Sequence, residues 1–217
     1  MIEIRHLIFD WDGTLMDSAP RIVSAMQETA RRLNLSVPTD HEVKHIIGLS
    51  LEKAFDCLFG QLSEDLVSAL YSEYRFQYVE GNHIATPLFD GAESMLKQVK
   101  QSGYSLAIAT GKARAGLERV LAETPIRCLF NDSICADEAM SKPEPDMLLQ
   151  LLKRNQWDKQ HCLMIGDTTH DIAMAQAAQI KTVAVSYGAH SLEDLSALQP
   201  DWLIDDIGQL KEVLKII

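Results

Sequence analysis

The chain has little that would tie it to nucleic acid, to a bilayer or to an oxidising compartment. Of its 217 residues only 20 are Lys or Arg, against 31 Asp or Glu, which leaves a formal net charge of -11. DNA and RNA bind to a basic face, so no nucleic-acid partner is expected. A small phosphorylated metabolite is not excluded, because one local cation and a metal ion can reverse the field inside a cleft. No uninterrupted apolar run reaches the roughly 20 residues that span a bilayer, so no membrane partner is expected either. The N-terminal segment meets Glu3, Arg5 and His6 at once, without a basic head and an apolar stretch. No signal peptide is therefore expected, and the cytoplasm is the expected location. Cys57, Cys128, Cys135 and Cys162 are scattered and form no C-x-x-C pair. That argues against structural zinc and a disulfide framework, and in favour of buried reduced thiols.

What is present is a core. A hydrophobic share of 47% is ample for a folded protein, and the length suits one core with a sizeable insertion. The chain opens on His6-Leu7-Ile8-Phe9-Asp10-Trp11-Asp12-Gly13-Thr14-Leu15. Consecutive apolar residues without alternation predict a strand buried on both faces. Such a strand seldom ends in Asp-x-Asp, since two carboxylates leaving a core repel each other and need solvent or partners.

Residues 16–85 then read as helical, with no strand. Asp17 or Ser18 is placed to cap a helix over Ile22, Val23, Met26, Ala30 and Leu33. Thr39 to Glu42 forms a capping box, and Ser50 and Ser63 open two further helices. Beyond residue 85 the character alternates. A second capping box is expected at Asp90-Gly91-Ala92-Glu93, and strands over Tyr104–Thr110, Leu129–Cys135, Cys162–Ile165, Thr182–Ser186 and Trp202–Ile204. Helices fall between them, Pro145 sitting in the first turn of one. This predicts an α/β fold, a Rossmann-like parallel sheet with helices on both faces. Residues 1–15 and 86–217 would form the core domain, and 16–85 an inserted α-helical cap domain.

In such a sheet, ligands bind beyond the carboxyl ends of the strands. Those ends carry Asp10 and Asp12, Thr110 and Gly111, Lys142 in the following loop, and Asp167 with Asp171. Several carboxylates without His or Cys suit a hard cation such as Mg2+. Lys142, the Thr110 hydroxyl and the backbone amides around Gly111, read as a helix start, would hold phosphate oxygens. A carboxylate beside the metal can attack phosphorus to form an acyl phosphate. Each residue also has a plainer reading: Thr110 as a strand-end hydroxyl, Lys142 as a solubilising loop lysine, Asp171 as a helix N-terminal acid. Lys112 and Arg114 could attract an anionic substrate or be solvated helix charges. His45, Gly48, Leu49 and Ser50 lie in a helix–turn–helix loop of the block, where Gly48 reads as a turn residue first. The histidines show no metal spacing.

Asp10 to Ser18, Thr110, Lys142-Pro143 and Gly166-Asp167-Thr168-Thr169-His170-Asp171 resemble, in order, the four motifs of the haloacid dehalogenase superfamily. Over nearly the whole chain the likeness is to its phosphoglycolate-phosphatase-like branch, whose helical cap follows the first strand. The resemblance implies a Mg2+-dependent phosphatase that acts on a small phosphorylated metabolite through an aspartyl phosphate. Asp10 would be nucleophile and metal ligand, and Asp12 general acid and base with its carbonyl on the metal. Thr110, Gly111 and Lys142 would hold the phosphate, and Asp167 and Asp171 would complete the metal site. Trp11 stands where relatives more often carry Phe or Leu, and Gly111 where many carry Asn. A sugar-phosphate mutase would typically add an early cap His, but Arg21 to Ser24 contains none. A phospho-aspartate signalling domain would be shorter and would lack the inserted helices. The assembly is expected to be a monomer or small homo-oligomer.

Overall fold

The computed structural model describes residues 3–216. Six parallel strands form one sheet in the order β3-β2-β1-β4-β5-β6. They are β1 (His6–Phe9), β2 (Ser105–Ala109), β3 (Asp132–Ile134), β4 (Cys162–Gly166), β5 (Lys181–Val185) and β6 (Trp202–Ile204). β1 is central. It pairs with β2 through Phe9↔Ile108 and with β4 through Phe9↔Ile165. Its apolar run is continuous because both faces are covered. Leu7 and Phe9 pack into one cluster with Met95, Leu96, Leu117 and Val120, while Ile8 packs on the other side with Met147, Leu148 and Met174. The first cluster draws on α5 (Ala92–Gln101) and α6 (Arg114–Ala122), the second on α7 (Asp146–Asn155) and α8 (Thr169–Ala177). This is the expected doubly covered parallel sheet.

Between β1 and α5 lie α1 (Ala19–Arg32), α2 (Asp40–His45), α3 (Leu51–Phe59) and α4 (Glu64–Val79). They enclose a separate apolar cluster that includes Ile22, Met26, Ile46, Phe55, Leu70 and Tyr74. Thr39 and Glu42 make both halves of a capping box, and the Ser50 and Ser63 hydroxyls accept from Lys53 N and Leu66 N. Arg21 ties the ends of this bundle together. Its guanidinium donates to the carbonyls of Tyr78 (2.8 Å), Asn82 (2.9 Å) and Val79 (3.4 Å), joining α1 to the end of α4.

Four local expectations fail. Ser18 occupies the cap position of α1 but makes no capping hydrogen bond, because its hydroxyl is turned to Asp12. Asp90 to Glu93 is no capping box. Gly91, at φ 80°, takes the cap position with no side chain to offer. The strand expected over Leu129–Cys135 shrinks to β3, since Arg127–Leu129 is a 3-10 turn. Of the cysteines, Cys135 and Cys162 are buried, but Cys57 and Cys128 are exposed; all four are free thiols. Two short helices close the chain, α9 (Leu192–Ala197) and α10 (Leu210–Leu214).

The Arg21 clamp gives a direct test. Arg21→Met keeps the stem but removes three charge-assisted donors, and should cost about 2 kcal/mol of stability. Urea unfolding measures this, and a change below about 0.5 kcal/mol, the level of an ordinary surface substitution, would contradict the clamp.

Candidate active site

β1 ends at Phe9, but Asp10 N still donates to Ile165 O at 2.9 Å, so the pairing with β4 carries one residue further. Asp10 thus leaves the sheet in the crevice between β2 and β4, where the strand order reverses about β1. It is sealed, with Asp10 1% exposed and Lys142, Asp167 and Asp171 fully buried. The Lys142 ammonium lies 2.8 Å from Asp10 Oδ1 and 2.6 Å from Asp171 Oδ1. The contact with Asp10 is a buried ion pair, and among the described residues no other donor reaches either Asp10 oxygen.

Oxygens of Asp10, Asp167 and Asp171 all lie within 4.8 Å of one another. This puts three buried carboxylates around one lysine. Burial raises the Asp10 pKa well above its ordinary value, Lys142 opposes that, and the Asp171 and Asp167 charges add to it. Burial, with the Asp171 charge, pushes Asp167 up to about 7. An all-oxygen set of three carboxylates around a single ammonium fits a hard divalent cation, which would supply the missing charge.

Asp167 is held by donors rather than by a cation. Thr14 Oγ1 donates to its Oδ1 at 2.7 Å and Ala189 N to its Oδ2 at 2.8 Å. Tyr187 in turn donates to Thr14 O at 2.9 Å. Gly13, at φ 83°, passes so close to Asp167 that a side-chain carbon there would overlap the carboxylate. Asp171 is the third residue of α8 and closes a capping box with Thr168, whose N and Oγ1 both donate to Asp171 Oδ2. Its plain reading as a helix-start acid and its place in the carboxylate cluster are therefore both true.

Asp12 is elsewhere. Among the described residues its carboxylate is not one of the metal-competent group. Its Oδ1 accepts from Ser18 Oγ at 2.5 Å and pairs with Lys112 Nζ at 2.9 Å. Burial works against the Lys112 charge, yet Asp12 and then Tyr78 outweigh it and hold the pKa above normal. Arg114 points away, its guanidinium bonded to Glu138 and Ser133. Thr110 is buried at the end of β2, and its hydroxyl accepts from Lys112 N at 3.2 Å.

Gly111 departs from its expected place. α6 starts only at Arg114, so Gly111 is not at a helix N-terminus. A side-chain carbon at Gly111 would lie 2.5 Å from the carbonyl oxygens of both Gly48 and Leu49. Its bare backbone is what lets the α2–α3 loop settle onto the sheet. Other contacts hold that loop in place. Ser50 N donates to Ser141 Oγ at 2.9 Å, beside Lys142. His190 Nδ1 accepts from Thr169 N at 3.1 Å, which fixes the proton on Nε2, and Nε2 donates to His45 O at 3.3 Å. His170 Nε2 reaches the same carbonyl at 3.0 Å, and the His45 and His190 rings stack 4.9 Å apart. Burial, with the neighbouring histidines, pushes His190 down to about 4, so this ring is neutral at neutral pH.

Residues 7–185 match the haloacid dehalogenase-like hydrolase family. The chain belongs to that family. It is 34% identical to the Probable phosphatase IndB of Dickeya dadantii over 94% of this chain and 90% of that protein. It is 31% identical to the Phosphoglycolate phosphatase of Colwellia psychrerythraea, over 96% of each. A haloacid dehalogenase-like family hydrolase from Streptococcus pneumoniae superposes with a TM-score of 0.83 at 27% identity, covering 98% of this chain and 99% of that one. The chain is an enzyme of the hydrolase class, in the phosphoglycolate-phosphatase-like branch of the haloacid dehalogenase-like hydrolases. Among the described residues no helix is long and apolar enough to cross a membrane.

The raised Asp167 pKa fixes a pH dependence for the metal-free hydrolase. A carboxyl at about 7 when folded, against about 3.9 unfolded, binds more protons folded than unfolded between those values. Its penalty on stability is absent below about pH 4, grows as pH rises and is complete above about pH 7. Asn can keep both contacts, accepting from Ala189 N and donating to Thr14 Oγ1, without the charge. In EDTA, the melting-temperature gain of Asp167→Asn over wild type should therefore grow from pH 5 to pH 8. A gain that stays flat over this range contradicts the account.

Proposed function

We propose that the chain is a Mg2+-dependent phosphatase that hydrolyses a small phosphomonoester through an aspartyl phosphate on Asp10. One observation carries the reading: Asp10, buried at the carboxyl end of β1, faces the Lys142 ammonium at 2.8 Å, and among the described residues no other donor reaches its oxygens. A carboxylate with one ammonium and no other donor is available as a nucleophile, and that lysine is a point charge for the phosphate. Asp10, Asp167 and Asp171, with the Asp12 backbone carbonyl, would hold the cation. Its chemistry is charge neutralisation on the transferring phosphoryl group.

The protein residues then divide the work. An Asp10 oxygen bonds to phosphorus as the bond from phosphorus to the leaving oxygen breaks. Asp12 gives that oxygen a proton and the alcohol departs. Water next attacks the phosphorus of the acyl phosphate, Asp12 takes a proton from it, and the bond to Asp10 breaks, freeing phosphate. Ser18 and Lys112 both engage Asp12 Oδ1, which leaves Oδ2 to carry the proton in each direction. The Lys142 ammonium, the Thr110 hydroxyl and the Gly111 amide would bind the phosphate oxygens. The helices of residues 16–85 would act as a cap that closes over the site, excluding bulk water while the acyl phosphate forms. The cytoplasm is the compartment this reading assumes.

Hydrolysis of p-nitrophenyl phosphate tests the scheme. Wild type should turn over with Mg2+ and lose at least about 100-fold in EDTA, the scale of removing one electrostatic stabiliser. Asp10→Asn should lose at least about 1,000-fold in kcat, having no nucleophile. Retention of a tenth of wild-type turnover in either case would overturn the mechanism.

A further inference from the structure

A cavity of about 510 Å³ lies between the α1–α4 bundle and the start of α6. Asp12 forms part of its wall, whereas Asp10 does not. That asymmetry is informative. In the proposed reaction Asp12 protonates the leaving oxygen, so space on the Asp12 side, away from the nucleophile, receives the leaving alcohol. The bundle walls this space with Ile22, Met26, Ile47, Leu49 and Tyr74. From the sheet side come Gly111, Ala113, Ala115 and Gly116, which have small side chains or none.

Of the three cations lining this cavity, Lys112 and Arg119 are already engaged, and the third is Arg75 of α4. Lys112 pairs with Asp12 and lies 5.0 Å above the Tyr78 ring. Arg119 pairs with Glu123 and lies 5.7 Å from the same ring centroid. Arg21 lies 5.2 Å from it and spends its donors on backbone carbonyls. A two-carbon acid such as glycolate would place its carboxylate beside Asp12, sharing Lys112 with it, and would leave most of the apolar wall empty.

We propose that this cavity is a leaving-group subsite for phosphomonoesters whose alcohol carries an apolar alkyl or aryl body of several carbons, in preference to phosphoglycolate. The preference comes from burying hydrocarbon against Ile22, Met26, Ile47 and Leu49, and from avoiding a second carboxylate at Asp12. The inference rests on the phosphatase reading for its chemistry but on the cavity alone for its binding preference.

The test compares ethyl, butyl, hexyl and phenyl phosphate with phosphoglycolate, under Mg2+, by kcat/KM. Hexyl and phenyl phosphate should exceed phosphoglycolate by tenfold or more, and the alkyl series should rise with chain length. Gly116→Leu should then collapse the hexyl-to-ethyl ratio towards one. The glycine borders the cavity, and a carbon added there meets nothing closer than the Lys112 side chain at 4.0 Å, so the leucine grows into the open space. Phosphoglycolate turned over as well as or better than hexyl and phenyl phosphate overturns the proposal, as does a flat alkyl series. Binding is read separately by calorimetry, using the inert benzylphosphonate and 3-phosphonopropionate on wild-type protein with Mg2+. If no ester is hydrolysed, the phosphatase reading fails. Benzylphosphonate binding tenfold tighter than 3-phosphonopropionate would still support the subsite, and equal or reversed affinities would overturn it.

Discussion

The constraint on which this structure depends is the burial of three carboxylates around one ammonium group. Asp10, Asp167 and Asp171 carry more negative charge than Lys142 neutralises, in a place that water does not reach. An arrangement like this is expensive, because a buried charge without a partner costs several kcal/mol. The fold meets that cost unevenly. Asp167 receives two neutral donors, and Asp171 receives the lysine and its own capping box. Asp10 receives only a share of the same lysine. The least satisfied group is the one that leaves the central strand, and that asymmetry is why Asp10 is the one proposed as nucleophile.

The rest of the architecture can be understood as support for this cluster. β1 is central, so its last residue is flanked by the ends of β2 and β4, and sheet register brings Thr110 and Asp167 alongside. Packing on both faces holds the strand that carries Asp10. Gly13 and Thr14 act together: the glycine lets the chain pass close to Asp167, and the threonine then donates to it. Tyr187, from the loop after β5, holds the Thr14 carbonyl and ties the turn to the far side of the sheet.

Much of this was legible in the sequence because the relevant signals are local. A continuous apolar run that ends in Asp-x-Asp announces a buried strand with carboxylates at its tip, and Gly166-Asp167 repeats the pattern. The helical block announced itself through Thr39, Ser50 and Ser63, whose capping bonds span three residues. What escaped were contacts between distant segments. Nothing near Ser18 indicates that its hydroxyl will serve Asp12 rather than α1, and nothing near Lys112 marks it out from Arg114, which turns outward. The histidines are the clearest case. His45, His170 and His190 lie 125 and 145 residues apart along the chain, so spacing could not reveal that two rings share one carbonyl.

Gly111 shows how one departure from a family pattern can carry structural information. The family resemblance sets Asn at this position, where this chain has glycine. The carbonyls of Gly48 and Leu49 approach to where that side chain would begin, so here the position is steric before it is polar. The loop that descends onto Gly111 is the one held by His170, His190 and Ser141, and Ser141 precedes Lys142. The helical bundle is therefore in direct contact, through this loop, with the segment that carries Lys142. Lys112 makes a second link, since it pairs with Asp12 below and contacts Tyr78 of the bundle above. Lifting the bundle would break the Tyr78 contact and free Lys112 to shift on Asp12. In the proposed reaction, Asp12 would thus be tied through Lys112 and Tyr78 to the bundle that would wall the leaving group.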